Sequence, residues 1–198
     1  MNKIEISIYT IDELSEQAKQ KAIDQHKDFL ADNWEAENSL DYHKEELEKF
    51  GYNNVKILFS GFSSQGDGAC FTADIDIKKW IEAHDLNDLR KLYNYSDNFS
   101  FSITHQSRYY YATSTTVVWG FYSEIDYSNN DKEQAESEAE QLLEVIKAER
   151  ERLGNDIYQT LRDDYFAEIA DDYVLEDIRL NEYQYLSDGT LATNLLKI

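Results

Sequence analysis

Val55-Lys56-Ile57-Leu58-Phe59-Ser60-Gly61-Phe62-Ser63-Ser64-Gln65-Gly66-Asp67-Gly68-Ala69-Cys70-Phe71 is the stretch whose reading decides the fold. Val55, Ile57 and Phe59 alternate with Lys56, Leu58 and Ser60, the period of two of a half-buried strand, and a second strand is expected over residues 69–77. Residues 60–68 between them hold three of the seven glycines of the chain, which suits a turn-rich connection. The whole reads as an antiparallel hairpin with a long loop. A lone hairpin is barely stable in water, so further strands or helices must cover one of its faces.

Both are expected on either side. Upstream, Ile4, Ile6 and Ile8 alternate with Glu5 and Ser7, predicting a strand over residues 3–9. Thr10, Asp12 and Ser15 offer successive N-caps to a helix reaching about Ala31, with Leu14, Ala18, Ala22 or Ile23, Phe29 and Leu30 at helical spacing. A second helix is expected over residues 34–50, with Leu40, Leu47 and Phe50 inward and Gly51 as its stop.

Downstream, Trp80, Ile81, Leu86, Leu89 and Leu92 predict one helix over residues 78–93. Segments 99–105 and 109–127 are rich in Tyr, Thr, Ser and Val and predict strands, the second long enough to need a break or bulge near Gly120. From residue 129 to about 173 the pattern is helical with an interruption at Gly154. Ala135, Ala139, Leu142 and Ile146 precede the glycine; Leu153, Ile157, Leu161, Tyr165 and Ile169 follow it. A stripe at strict i, i+4 spacing winds around a 3.6-residue helix, so contacts on more than one side are expected. A short strand at 183–186 and a turn at Asp188-Gly189 close the chain. The fold class this implies is α+β: an antiparallel sheet of about four to five strands packed against N-terminal helices and a long acidic C-terminal helical segment. With no proline and no low-complexity linker, residues 1–198 read as a single domain. Its parts are a mixed α/β core over 1–128, an acidic helical segment over 129–182 packed on it, and a tail over 183–198.

Forty acidic against 19 basic residues give a net charge of −21, which repels phosphate backbones and anionic membranes. Direct nucleic-acid binding and membrane association are therefore not expected, and a basic protein is the partner such a field attracts. The charge is concentrated: residues 131–182 hold 17 acidic and 6 basic side chains. Carboxylates repeated on one rigid helix face, Glu133, Glu136, Glu140 and Glu144, can imitate the phosphates of a duplex, although a solvated helix surface explains them equally. Cys70 is the only cysteine, so neither an intrachain disulfide nor a thiolate-rich zinc site can form, which fits a reducing cytoplasm.

Residues 61–66 superficially match a phosphate loop, but Asp67 stands where the phosphate-neutralising lysine belongs, and a strand follows rather than a helix. Cys70, His105 and Asp67 are types that could serve as nucleophile, base and orienting acid, though a cysteine flanked by Ala69 and Phe71 suits a core strand better. His26, His43, His84 and His105 lack ligand spacing. No catalytic residue, metal or cofactor is expected. Gln65 and Asp67 in the loop are candidates for partner contact. So are Tyr109 and Tyr110, because three consecutive tyrosines in a strand leave at least one facing away from the core.

The central motif resembles that of a family of phage and prophage proteins sharing an aromatic-S-G-F-x-S-Q-G-D-G-A-x-F core. Similar too are the opening Tyr9-Thr10-Ile11-Asp12-Glu13-Leu14-Ser15-Glu16-Gln17-Ala18-Lys19, the stretch Ser107-Arg108-Tyr109-Tyr110-Tyr111 and the ending Asn181-Glu182-Tyr183-Gln184-Tyr185. At Ser63 this chain departs from relatives that often carry a bulkier aromatic. Such proteins are often described as the antitoxin of a toxin–antitoxin stability system, which implies a mobile-element origin and protein binding. The function expected is thus non-enzymatic: an acidic phage or mobile-element protein in the host cytoplasm that binds and inhibits a host protein. The target expected is a basic defence nuclease or toxin, which places the protein in the anti-restriction, anti-CRISPR or antitoxin class. The alternative is a small-ligand-binding protein or hydrolase centred on residues 61–68.

Overall fold

The computed structural model describes residues 5–122 and 129–192. Its contacts define two compact units, Ala36–Arg162 and Met1–Glu35 with Asp163–Ile198.

The larger unit is built on the expected hairpin. Strands β1 (Tyr52–Ser60), β2 (Gly68–Ile75), β3 (Phe99–His105) and β4 (Thr115–Phe121) form one antiparallel sheet in the order β1-β2-β3-β4. In β3 the alternation is plain: Phe99, Phe101 and Ile103 are buried, whereas Ser100, Ser102 and Thr104 are half-exposed. Almost fully buried as well are Tyr52, Phe71, Trp80 and Leu92, and from the helical segment Leu142, Ile146, Ile157 and Leu161. Each such side chain contributes about 1.5–3 kcal/mol by leaving water.

Helix α2 (Glu37–Lys49) leads into β1 through Gly51, whose φ of +88° only glycine adopts easily and whose added Cβ would lie 2.9 Å from the Trp80 nitrogen. The helix expected over 78–93 is two: α3 (Ile77–Ala83), N-capped by Asp76, whose carboxylate accepts the Lys79 N–H at 3.0 Å, and α4 (Arg90–Asn94). Asp85, at φ +54°, turns the chain between them. The long strand expected over 109–127 is also shorter. Residues 109–114 are a loop ending in a 3-10 turn, Gly120 pairs with Ser100 in unbroken register, and residues 123–128 lie outside the described residues.

Helix α5 (Asn129–Glu168) runs 40 residues without a break. Gly154 does not interrupt it. A Cβ there would stand 2.8 Å from the Ala112 Cβ and 3.3 Å from the Ala69 oxygen, so this glycine is where the helix meets the end of the sheet.

In the smaller unit, α1 (Glu16–Asp32) begins at Ser15, whose hydroxyl accepts the Ala18 N–H, and α6 (Asp171–Leu180) lies against it. Ile11, Ala22, Ile23, Val174, Ile178 and Tyr185 form the core. Arg179 grips Asp12 with two hydrogen bonds, and Lys21 and Thr190 hold the Asp188 carboxyl down to about 2. The strand expected over 3–9 is absent across residues 5–8, and Ile6 and Ile8 are exposed; residues 3 and 4 lie outside the described residues. Only Tyr9 pairs, exchanging backbone hydrogen bonds with Tyr185, which stands where the tail strand is expected. Phe29 and Phe50, expected inward, are exposed.

No helix among the described residues is long and apolar enough to cross a membrane.

Candidate functional site

The candidate contact residues fall on two surfaces of the larger unit. The first is the connection between β1 and β2. Asp67 folds back so that its carboxylate accepts the backbone N–H groups of Ser63, at 2.8 Å, and Ser64, while its own N–H donates to the Ser64 carbonyl. A short acidic side chain closing a turn in this way replaces backbone partners that the loop lacks. Tyr111 closes the other side, its hydroxyl donating to the Gln65 carbonyl at 2.7 Å. Gly68 admits this approach, because a Cβ there would lie 3.0 Å from the Tyr111 ring and 3.1 Å from the Tyr110 oxygen.

Gln65 is thereby presented at the surface beside Tyr109, which is 41 % exposed and whose ring lies alongside Gly66. The Arg108 guanidinium sits 4.7 Å over the Tyr109 ring and also donates to its hydroxyl. Tyr110 turns to His105, and His105 Nε2 meets the Tyr109 carbonyl at 2.9 Å. Gln65, Asp67, Tyr109 and Tyr110 are thus brought together into one pinned surface. Arg108 and Tyr111, which complete it, carry no signal of their own in the sequence beyond adjacency to the other tyrosines.

The residue types suited to nucleophilic chemistry are engaged elsewhere. Asp67 holds the loop and His105 meets a carbonyl. Cys70 is 1 % exposed, and burial pushes its thiol up to about 11, away from the thiolate a nucleophile needs. Among the described residues no group of three His, Cys, Asp or Glu is placed to hold a metal ion.

The second surface is the outer face of α5. Glu133, Glu140 and Glu144 are exposed and Glu136 is half-exposed, while Ala135, Ala139, Leu142 and Ile146 face inward. Lys132 lies 3.8 Å from Glu136 and Lys147 2.7 Å from Glu144; among the described residues Glu133 and Glu140 have no ion pair. Glu138, two positions from Glu136 and from Glu140, is buried and accepts the Leu92 N–H at 2.8 Å. Lys132 over the Phe121 ring, at 5.0 Å, and the Arg150 guanidinium on the Thr115 carbonyl lay this helix along β4 from end to end. Glu144, the member of the row nearest to Tyr158, is about 21 Å along the helix, at 1.5 Å per residue, from that tyrosine, which packs on Phe62 of the loop at 5.9 Å. The two surfaces are therefore separate.

A family model described as "Domain of unknown function (DUF8835)" matches residues 33–171, most of the chain, and the chain belongs to that family. No curated protein and no solved structure matches it.

Proposed function

We propose that this member of the family acts without catalysis, by binding a basic protein through the acidic outer face of α5. The observation that carries this reading is the row Glu133, Glu136, Glu140 and Glu144 held toward solvent on one unbroken helix. Successive members recur about once per turn, and two of them lack a neutralising cation among the described residues. Carboxylates at such spacing on a helix whose backbone is already ordered meet the Lys and Arg side chains that line a nucleic-acid-binding groove at the cost of side-chain ordering alone, and the charge of −21 speeds the encounter. A host defence nuclease or a toxin in the cytoplasm of the cell carrying a phage or mobile element is a partner of this kind, and occupying its groove inhibits it. A ligand site at residues 61–68 draws less support, since Asp67 is engaged by the Ser63 and Ser64 N–H groups.

The test is capture of partners from host lysate by the tagged chain at low and high salt, beside a variant carrying Glu133→Gln, Glu136→Gln, Glu140→Gln and Glu144→Gln. A basic protein retained at low salt, released as salt rises and lost by the variant is the expected result. Retention that neither salt nor the variant changes refutes the reading.

A further inference from the structure

The sheet has two edge strands, β1 and β4. β4 is terminal in the sheet order, and among the described residues no strand pairs with it on the side away from β3. Two hydrogen bonds at its ends fix which backbone groups face outward. The Gln106 N–H donates to the Ser114 carbonyl, and the Tyr122 N–H to the Asn98 carbonyl. In an antiparallel pair a residue turns its N–H and C=O to the same side and its neighbours turn theirs to the other. Even-numbered residues from 114 to 122 therefore face β3, and Val117 and Trp119 present their backbone groups at the outer edge. The Arg150 guanidinium confirms the phase, because it reaches the Thr115 carbonyl from outside the sheet.

Exposed edges are normally blunted by lysine, proline, a bulge or an inward charge. The sequence Thr115-Thr116-Val117-Val118-Trp119-Gly120-Phe121 has none of these, pairs with β3 in unbroken register, and carries no charge in a chain of −21. Alongside the edge runs a groove of about 400 Å³ whose walls are Thr115, Thr116 and Val117 on one side and Glu144, Lys147, Arg150 and Glu151 of α5 on the other. A strand edge flanked by a helix is the geometry in which extended peptides are taken up by strand addition, backbone groups supplying the attachment and side-chain pockets the selectivity.

We infer that the groove between β4 and α5 binds an extended, lysine- or arginine-bearing peptide segment of another protein as a fifth strand of the sheet. The backbone of such a segment pairs with Val117 and Trp119, and its basic side chains reach Glu151, which is exposed and has no ion pair among the described residues, and Glu144, where they replace Lys147 in its 2.7 Å pairing. Charge decides between this occupant and a second copy of the chain, since two molecules of −21 each repel across an edge-to-edge contact. The inference rests on the binding role proposed above and names the form in which the basic partner presents itself there.

The probe is a capped ten-residue peptide of alternating lysine and valine, with an alternating glutamate and valine peptide and a lysine–valine peptide N-methylated at alternate residues as controls. Amide exchange is read on the full chain. The lysine–valine peptide is expected to slow exchange at Val117 and Trp119 about ten-fold or more while the odd-numbered amides of β3 stay unchanged, and the glutamate–valine peptide to leave all of them unaffected. Glu144→Lys with Glu151→Lys, two exposed positions, is expected to abolish the protection with unchanged circular dichroism. No protection at Val117 and Trp119, protection by both charge types alike, or equal binding of the N-methylated peptide overturns strand addition. If the peptide fails while the lysate experiment still captures a salt-released basic protein, the acidic helix binds it without the sheet edge, and the two proposals separate.

Discussion

Gly154 lies in the middle of a forty-residue helix because Ala112 and the Ala69 carbonyl leave no room for a side chain. Gly154→Ala gains about 1 kcal/mol of helix propensity, but its Cβ must be fitted 2.8 Å from that of Ala112, and overpacking costs about 1–3 kcal/mol. A net loss of stability in urea unfolding is expected, with partial recovery in the double variant that adds Ala112→Gly; a gain from Gly154→Ala alone would mean that the contact is loose. From sequence the same glycine reads as a break, since low helix propensity is local information and Ala112 is 42 positions away. Asp67 is a similar case. Its type marks a turn correctly, but that its carboxylate is taken up by Ser63 and Ser64 follows from the loop closing on Tyr111, which a linear pattern does not encode.

Elements whose pattern is set by one buried face were legible: β1, β2 and β3 fall close to the expected segments, β3 with the same ends, and α1 starts at Ser15, the last of the three N-caps expected. Those shaped by a distant partner were not. α4 is five residues long, too short to hold itself, and α5 supports it: the buried Glu138 carboxylate accepts the Leu92 N–H, and Asp131 pairs with Lys91. Nothing in a hydrophobic period separates α4 from α3. Glu138→Ala is expected to destabilise by roughly 1.5–3 kcal/mol, the range for a hydrogen bond to a charged group, and to speed exchange at the Leu92 amide. Glu138→Gln keeps an acceptor and is expected to lose less; equal loss in both would assign the effect to charge rather than to the cap. The tyrosine-rich stretch 109–114 misleads in the same way. Its composition favours a strand, but Tyr111 and Ala112 are committed to the β1–β2 connection and to α5.

At the scale of the whole chain the excess of carboxylates acts on stability as well as on partners. At about 10 mM salt the screening length is roughly 30 Å, so most of the 40 acidic side chains feel one another; near physiological salt it is about 8 Å. Raising salt over that range is expected to raise the melting temperature by a few degrees, about what 1 kcal/mol yields in a chain of this size, and a fall would mean that ion pairs such as Arg179 with Asp12 outweigh the repulsion. The division into two units has a consequence in time. The unit Ala36–Arg162 is continuous in the chain and each strand of its sheet neighbours the next one made, whereas the other unit needs both Met1–Glu35 and Asp163–Ile198. On a ribosome the sheet can therefore assemble strand by strand as it emerges. Helix α1, made before the sheet, must wait for α6, made after it, before Ala22 and Ile23 find Val174 and Ile178. Its exposed apolar side during that interval is a natural target for a chaperone that acts on nascent chains.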